Sequence, residues 1–221
     1  MTRFTYLKPR SRSGMLSLAE VAKVADSLRR GSPAVLPTET GYMLAALATS
    51  EEAVKGAFAV KGRSSATVMH VACASMDMAR TVGILTTRAT RLLGRFTPGP
   101  LSVIVRKTEF LPDDLVTLNG TVGIRVPDHP ATLQVISAVG APLTATSLNS
   151  SGSQMPSVEE ASLWTLNWPE GDEIYIVRDD EAIAYSSAST LVRITGESIE
   201  ILRPGPVSEA EIHRVADDLQ E

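Results

Sequence analysis

Cysteine is all but missing from this 221-residue sequence: Cys73 stands alone, so no disulfide can form within the chain. Such a chain is expected in a reducing compartment, here the cytoplasm. Histidine is nearly as scarce. His70, His129 and His213 are too scattered for a zinc site, and no protein-held metal is expected. No run approaches the roughly 18 apolar residues of a membrane helix, so no membrane partner is expected. The opening MTRFTYLKPRSRSGM is basic but lacks an apolar core, and does not read as a secretory signal. An excess of positive charge is missing as well. With 21 Lys and Arg against 25 Asp and Glu the net charge is −4, whereas a protein whose whole surface coats nucleic acid is basic. Also absent are G-x-x-x-x-G-K-[ST], G-x-S-x-G, H-E-x-x-H and paired Cys-x-x-Cys, which excludes the commonest nucleotide, hydrolase and zinc signatures. Asn119 and Asn149 sit in N-x-[ST] sequons, chance matches in a cytosolic chain.

What is present is an interleaving of helix and strand patterns without repeats or a dividing linker. Ser17-Leu-Ala-Glu20 is a capping box, and Leu18, Val21, Val24 and Leu28 follow at helical spacing. A short apolar strand, 34–36, runs into Pro37-Thr38-Glu39-Thr40, and a second apolar run spans 42–48. Ser50 caps a helix carrying Val54 and Phe58, and 68–73 reads as a strand. A helix over 87–96 turns Leu92, Leu93 and Phe96 inward. Strands follow at 101–105 and 121–126, then a helix opened by Pro130 and a strand over 142–147. Ser157–Glu160 and Ser208–Glu211 are further capping boxes. Strands are expected near 173–177, 190–194 and 199–202, and the short connections there predict antiparallel pairing. The fold class is α/β (α+β), one twisted mixed sheet with helices packed on it. Its expected division is an N-terminal extension over 1–16, the main domain over 17–207 and a C-terminal helix over 208–221.

Polar residues gather at the ends of the apolar strands, where such folds place their ligands. Read singly, most are ordinary: Pro37–Thr40 is a turn, and Lys61-Gly62-Arg63 is a helix C-terminus. Arg125 is harder to dismiss. It lies inside Val122-Gly-Ile-Arg-Val126, and burying its charge unpaired is very costly, so it must be paired or face a cavity. The expectation taken forward is a cavity in which the guanidinium stands unpaired until a carboxylate arrives.

Read in order, these segments resemble the YrdC-like family of L-threonylcarbamoyl-AMP synthases. The resemblance runs from about Leu18 to Gly205. It is carried by Pro37-Thr-Glu-Thr40, Lys61-Gly-Arg63, Thr97-Pro-Gly-Pro-Leu101, Val122-Gly-Ile-Arg-Val-Pro-Asp-His-Pro130, Thr146-Ser-Leu-Asn-Ser-Ser-Gly152, Ser189-Thr190 and Leu202-Arg-Pro-Gly205. The family's expected basic or amide position falls on Thr67 and its histidine on Ala72. His70 stands two residues early, on the same face of a strand. These departures, with Thr40-Gly41-Tyr42-Met43-Leu44, resemble the YciO-like branch.

The resemblance implies a YrdC-like single domain with a ligand-binding concavity. It also implies a nucleotidyltransferase that joins L-threonine, bicarbonate and ATP and releases pyrophosphate, for the threonylcarbamoyl modification of tRNA. Catalysis would rest on Lys61, Arg63 and Arg125. ATP would be held by Lys61, Arg63, Thr67, Ser147, Asn149 and Arg203, with Mg²⁺ carried on its phosphates. The amino acid would be held by Thr40, Thr121, Arg125, Ala145 and Ser189. Arg125 suits a carboxylate because its planar fork matches two oxygens. Partner proteins of tRNA modification are implied too. Two other readings stay open: an RNA-binding or ribosome-maturation module taking tRNA or double-stranded RNA, and a paralogue acting on another carbamoyl or amino-acid substrate.

Overall fold

The computed structural model describes residues 2–10, 13–62, 69–112, 117–148, 163, 166–196 and 198–218. Among these, twelve strands form one sheet. Its central order is β1 (Arg3–Leu7), β10 (Glu173–Val177), β2 (Ala34–Thr38), β3 (Gly41–Ala45), β9 (Leu143–Ser147), β4 (His70–Ala72), β8 (Thr121–Arg125), β6 (Leu101–Lys107), β11 (Thr190–Thr195) and β12 (Ser198–Arg203). Two short strands, β5 (Gly83–Ile84) and β7 (Thr117–Leu118), pair with β6 and β8.

The sheet divides its side chains by the two-residue period of a strand. Ala34, Leu36, Met43, Ala45, Ala72, Tyr175 and Val177 face one way, onto α1 (Leu18–Arg29) and α5 (Pro130–Val139). Their neighbours Val35, Leu44, Val71 and Ile176 face the other. There they meet α2 (Glu51–Lys61), α3 (Met76–Val82), α4 (Thr87–Phe96) and α6 (Glu209–Ala216). Each fully buried aliphatic side chain contributes about 1.5–3 kcal/mol, so these two layers dominate the stability.

Local signals set the helix starts. Ser17 and Glu20 form the capping box before α1, and Ser208 and Glu211 form the one before α6. Val21, Val24 and Leu28 are buried, but Leu18, expected inward with them, is 84% exposed at the first helical position. The proposed helix start at Ser157–Glu160 lies outside the described residues. The expected antiparallel pairing after Glu173 holds only for β11 with β12. β10 lies parallel between β1 and β2, and β11 lies parallel to β6. Short connections constrain only strands that are neighbours in sequence, and these partners are not. The ends of the chain join the same unit: β1 pairs with β10, and Ile212 and Ala216 of α6 enter the core.

Candidate functional site

A cavity of about 260 Å³ opens where strand ends meet. Its wall draws on the β2–β3 turn, the first residue of β4, the end of β8, the end of β9, the start of β6, and the approach to β11 beside Arg203. The turn is the unusual part. Glu39 and Thr40 connect β2 to β3, with Thr38 paired to Gly41. Turns belong at the surface, yet Thr38, Glu39 and Thr40 are 2%, 4% and 6% exposed. The turn is covered by the segment after β10: the Glu39 carbonyl accepts the N–H groups of Ala184 and Tyr185 at 2.9 and 3.0 Å. Tyr42 holds the same segment, donating to Asp180 at 2.6 Å and accepting the Asp179 N–H at 2.9 Å.

Arg125 reaches the cavity from the end of β8, but it does not stand unpaired as expected. Its Nη2 donates to Glu39 Oε1 at 2.7 Å, and both terminal nitrogens donate to Thr40 Oγ1 at 3.2 Å. The other Glu39 oxygen accepts the Asp128 N–H at 2.8 Å. The buried-pair and cavity-lining readings of Arg125 therefore both hold. Nε remains buried without a hydrogen-bond partner, so the fork is only partly engaged by the protein.

Arg203 closes the opposite wall. Its Nε and Nη2 donate to the Ser189 carbonyl at 3.1 and 2.9 Å, and Nη2 also meets Ser189 Oγ at 3.2 Å. Burial and, after it, the positive charge of Arg125 push the Arg203 guanidinium below its usual value. His70 shares the cavity with them. Burial first, then Arg203 and Arg125, push its imidazole down to about 4, so it is neutral at pH 7. Gly123 makes room for this ring: a Cβ there would lie 2.4 Å from His70 Cδ2.

The His70 shift predicts a stability effect with a definite sign. Unfolded, the imidazole binds its proton near 6.5; folded, only near 4. Between those values the unfolded chain holds more protons. The contribution is complete above pH 6.5 and is lost as pH falls through about 4. Urea midpoints measured from pH 7 to 4 are expected to fall less steeply in His70→Asn than in the wild type; parallel curves would refute the assignment.

Of the residues singled out by sequence, Thr40, Arg125, Ala145, Ser147, Ser189 and Arg203 line this cavity. Lys61 stands at its edge, its Nζ donating to the Ser147 carbonyl. Thr121 is not brought to the cavity. It begins β8, four residues before Arg125, and its hydroxyl donates to the Leu118 carbonyl at 2.7 Å in the β7–β8 turn. Arg63, Thr67 and Asn149 lie outside the described residues. Ala72, at the expected histidine position, is in the core beneath α1 and α5, and His70 occupies the cavity instead. Sequence reasoning did not single out Glu39 or Ser102, the latter fully buried and 2.9 Å from Ser189 Oγ. A carboxylate within a two-residue turn was the available signal for Glu39.

The Sua5/YciO/YrdC family model, described as "Telomere recombination", matches residues 26–205, from within α1 to just past β12. The chain belongs to the Sua5/YciO/YrdC family. Among relatives, it is 31% identical over 196 residues to the putative threonylcarbamoyl-AMP synthase of Mycobacterium tuberculosis, covering 88% of each chain. It is 32% identical over 199 residues to the threonylcarbamoyl-AMP synthase of Bacillus subtilis, covering 89% of this chain but 56% of that one. Among solved structures, P. abyssi Sua5 complexed with L-threonine superposes with a TM-score of 0.82 at 27% identity, over 96% of this chain and 60% of that one. The chain thus spans little more than half of the longer Sua5/YciO/YrdC relatives. E. coli YciO matches at a TM-score of 0.78 and 22% identity, over 94% and 98% of the two chains, a likeness of fold. Every described residue assigned to the cavity falls within the family match.

Proposed function

We propose that this chain makes L-threonylcarbamoyl-AMP from L-threonine, bicarbonate and ATP, releasing pyrophosphate as a nucleotidyltransferase for tRNA modification. The observation that carries the reading is the charge of the cavity. Arg125 and Arg203 face one space whose described lining holds no carboxylate, and Glu39, the carboxylate paired with Arg125, is engaged through both oxygens. Such a space seeks anions. Threonine brings a carboxylate and ATP brings phosphates.

The amine of threonine adds to the carbon of bicarbonate with loss of water, giving a carbamate. A carbamate oxygen attacks the α-phosphorus; the bond to the bridging oxygen breaks, and pyrophosphate leaves. Charge develops on phosphate oxygens, so fixed cations matter more than an acid–base pair. Arg125 holds the amino-acid carboxylate on the N–H groups left by Glu39 and Thr40, beside Ala145 and Ser189. Arg203 and Lys61 face the triphosphate, and Ser147 contacts the nucleotide. Arg63, Thr67 and Asn149 keep the nucleotide-binding roles that the resemblance gives them. The hydroxyl and guanidinium donors of this lining fit a Mg²⁺ held by phosphate oxygens rather than by protein carboxylates.

The reading is tested by pyrophosphate release from ATP and bicarbonate, scanned across amino acids, with threonine expected to be the best substrate. No release with any of them would refute it. Arg203→Ala is expected to weaken ATP binding about tenfold or more, since a charge-assisted bond contributes about 1.5–3 kcal/mol. Calorimetry that found ATP affinity unchanged would remove Arg203 from the site.

A further inference from the structure

His70 lines the cavity without a part in the chemistry above. The sheet fixes where it stands. β4 runs parallel to β8, with Val71 beside Ile124 and Ala72 beside Arg125. One residue back, His70 lies beside Gly123, whose missing Cβ leaves the space that the ring fills. Gly123 and Arg125 are two positions apart on one strand and share a face. The imidazole therefore stands roughly 7 Å along the sheet from the base of Arg125, with Ala145 of β9 across from it. In a cavity of about 260 Å³ nothing that is bound lies far from either side chain.

The imidazole also differs in kind from the rest of the wall. Guanidinium nitrogens only donate, so among the described lining residues His70 carries the one side-chain nitrogen with a lone pair. The charges around it are positive. Arg203 at the end of β12 and Arg125 on β8 both act on it, and Lys61 at the end of α2 stands at the cavity edge. Glu39, the acid of the β2–β3 turn, is spent on Arg125 and the Asp128 N–H. β9 brings Ala145, Thr146 and Ser147, and β3 brings Tyr42 and Met43, none of them charged. Arg203 meets a carbonyl and a hydroxyl, and no carboxylate among the described residues. Burial and these charges keep the imidazole neutral, and they act in the same sense on any ammonium brought beside it.

We propose that His70 receives the amine of the amino acid in its uncharged form, one imidazole nitrogen accepting an amine N–H, so that the amino acid sheds a proton to solvent as it binds. This rests on the amino-acid site proposed above. The balance is simple: the ammonium gives a neutral amine and one proton, and the buffer takes the proton. His70 does not keep it, because a protonated imidazole would be a further cation beside two guanidinium groups. The ring engages an N–H and not the lone pair, which stays free to add to the carbon of bicarbonate. A cavity built this way readies the nucleophile without a protein carboxylate.

The test counts protons. L-Threonine is titrated into the nucleotide-free protein at pH 7.5 in phosphate and in Tris, whose ionisation heats differ, and the difference in binding heat gives the protons released. The wild type is expected to release about one, and its affinity for threonine to rise with pH between 6 and 8. The hydroxy acid 2,3-dihydroxybutyrate, which has a hydroxyl in place of the amine, is expected to release none. His70→Leu removes the acceptor and is expected to bind threonine about tenfold more weakly, with α,β-methylene-ATP within about twofold of wild type. His70→Asn, whose amide oxygen also accepts, is expected to recover most of that loss. Wild-type binding of threonine without proton release overturns the proposal without any variant, and equal release by the hydroxy acid does so by assigning the proton to the protein. A folded His70→Leu with unchanged threonine affinity, or equal losses in the two variants, also overturns it. Proton release without pyrophosphate release in the full reaction refutes the proposed function and leaves the role of His70 standing; no binding of threonine overturns both.

Discussion

Arg125→Met is expected to lose about 3–5 kcal/mol of stability and all amino-acid-dependent pyrophosphate release. The stability loss follows from Glu39, whose side chain is 5% exposed and would be left with one oxygen deprived of its partner. Breaking one side of a buried pair costs far more than replacing both. Adding Glu39→Gln to Arg125→Met is therefore expected to restore most of the urea midpoint. It is not expected to restore activity, because the carboxylate fork is still missing. Recovery of pyrophosphate release in the double variant would show that Arg125 serves only to neutralise Glu39. An unchanged midpoint in Arg125→Met would show that the pair carries little of the fold's stability.

Gly205→Ala is expected to be severely destabilising for the addition of one methyl. A Cβ at this position would lie 2.5 Å from Thr190 N, 2.6 Å from the Ala188 oxygen and 2.8 Å from Ser189 C. All three are backbone atoms, so no side chain can swing aside, and the loss should reach about 3 kcal/mol or more. For a chain of this size that lowers the melting temperature by roughly 6–12 °C. ATP affinity should fall as well, since the strain falls on the segment that Arg203 grips through the Ser189 carbonyl. Gly94, in α4 with nothing within 4 Å of the equivalent Cβ, is the control, and Gly94→Ala is expected to be neutral or stabilising. A melting temperature for Gly205→Ala within a degree of wild type would sink the argument.

Legibility in the sequence followed the range of the interactions. The capping boxes at Ser17–Glu20 and Ser208–Glu211 involve residues three apart, and both formed. The amphipathic pattern over Thr87–Phe96 gave α4 with its bounds. The helix Met76–Val82 went unseen because it is one of the shortest, burying only Ala79 and Val82. The strand Arg3–Leu7 went unseen because it is five residues long, none of them fully buried, and opens a segment that is basic and polar as far as Met15. The site was legible as a set of polar strand ends, and Thr40, Arg125, Ser189 and Arg203 do converge. The pairing inside it was not legible. Glu39 and Arg125 are 86 positions apart, and nothing in either neighbourhood names the other.

The strand order has a consequence for how the protein is assembled. Thr40 meets Arg125 across 85 positions and Ser102 meets Ser189 across 87, so no hairpin or helix pair contains even half of the cavity. The local elements can form early, but the long loops must close before those contacts exist, which places this fold among the slower ones. Ligand affinity appears only when β6 has found β11 and β2 has found its place beside β10. A partly folded chain therefore has no weakened version of the site to offer, and any ligand that binds only the finished sheet draws folding to completion by mass action.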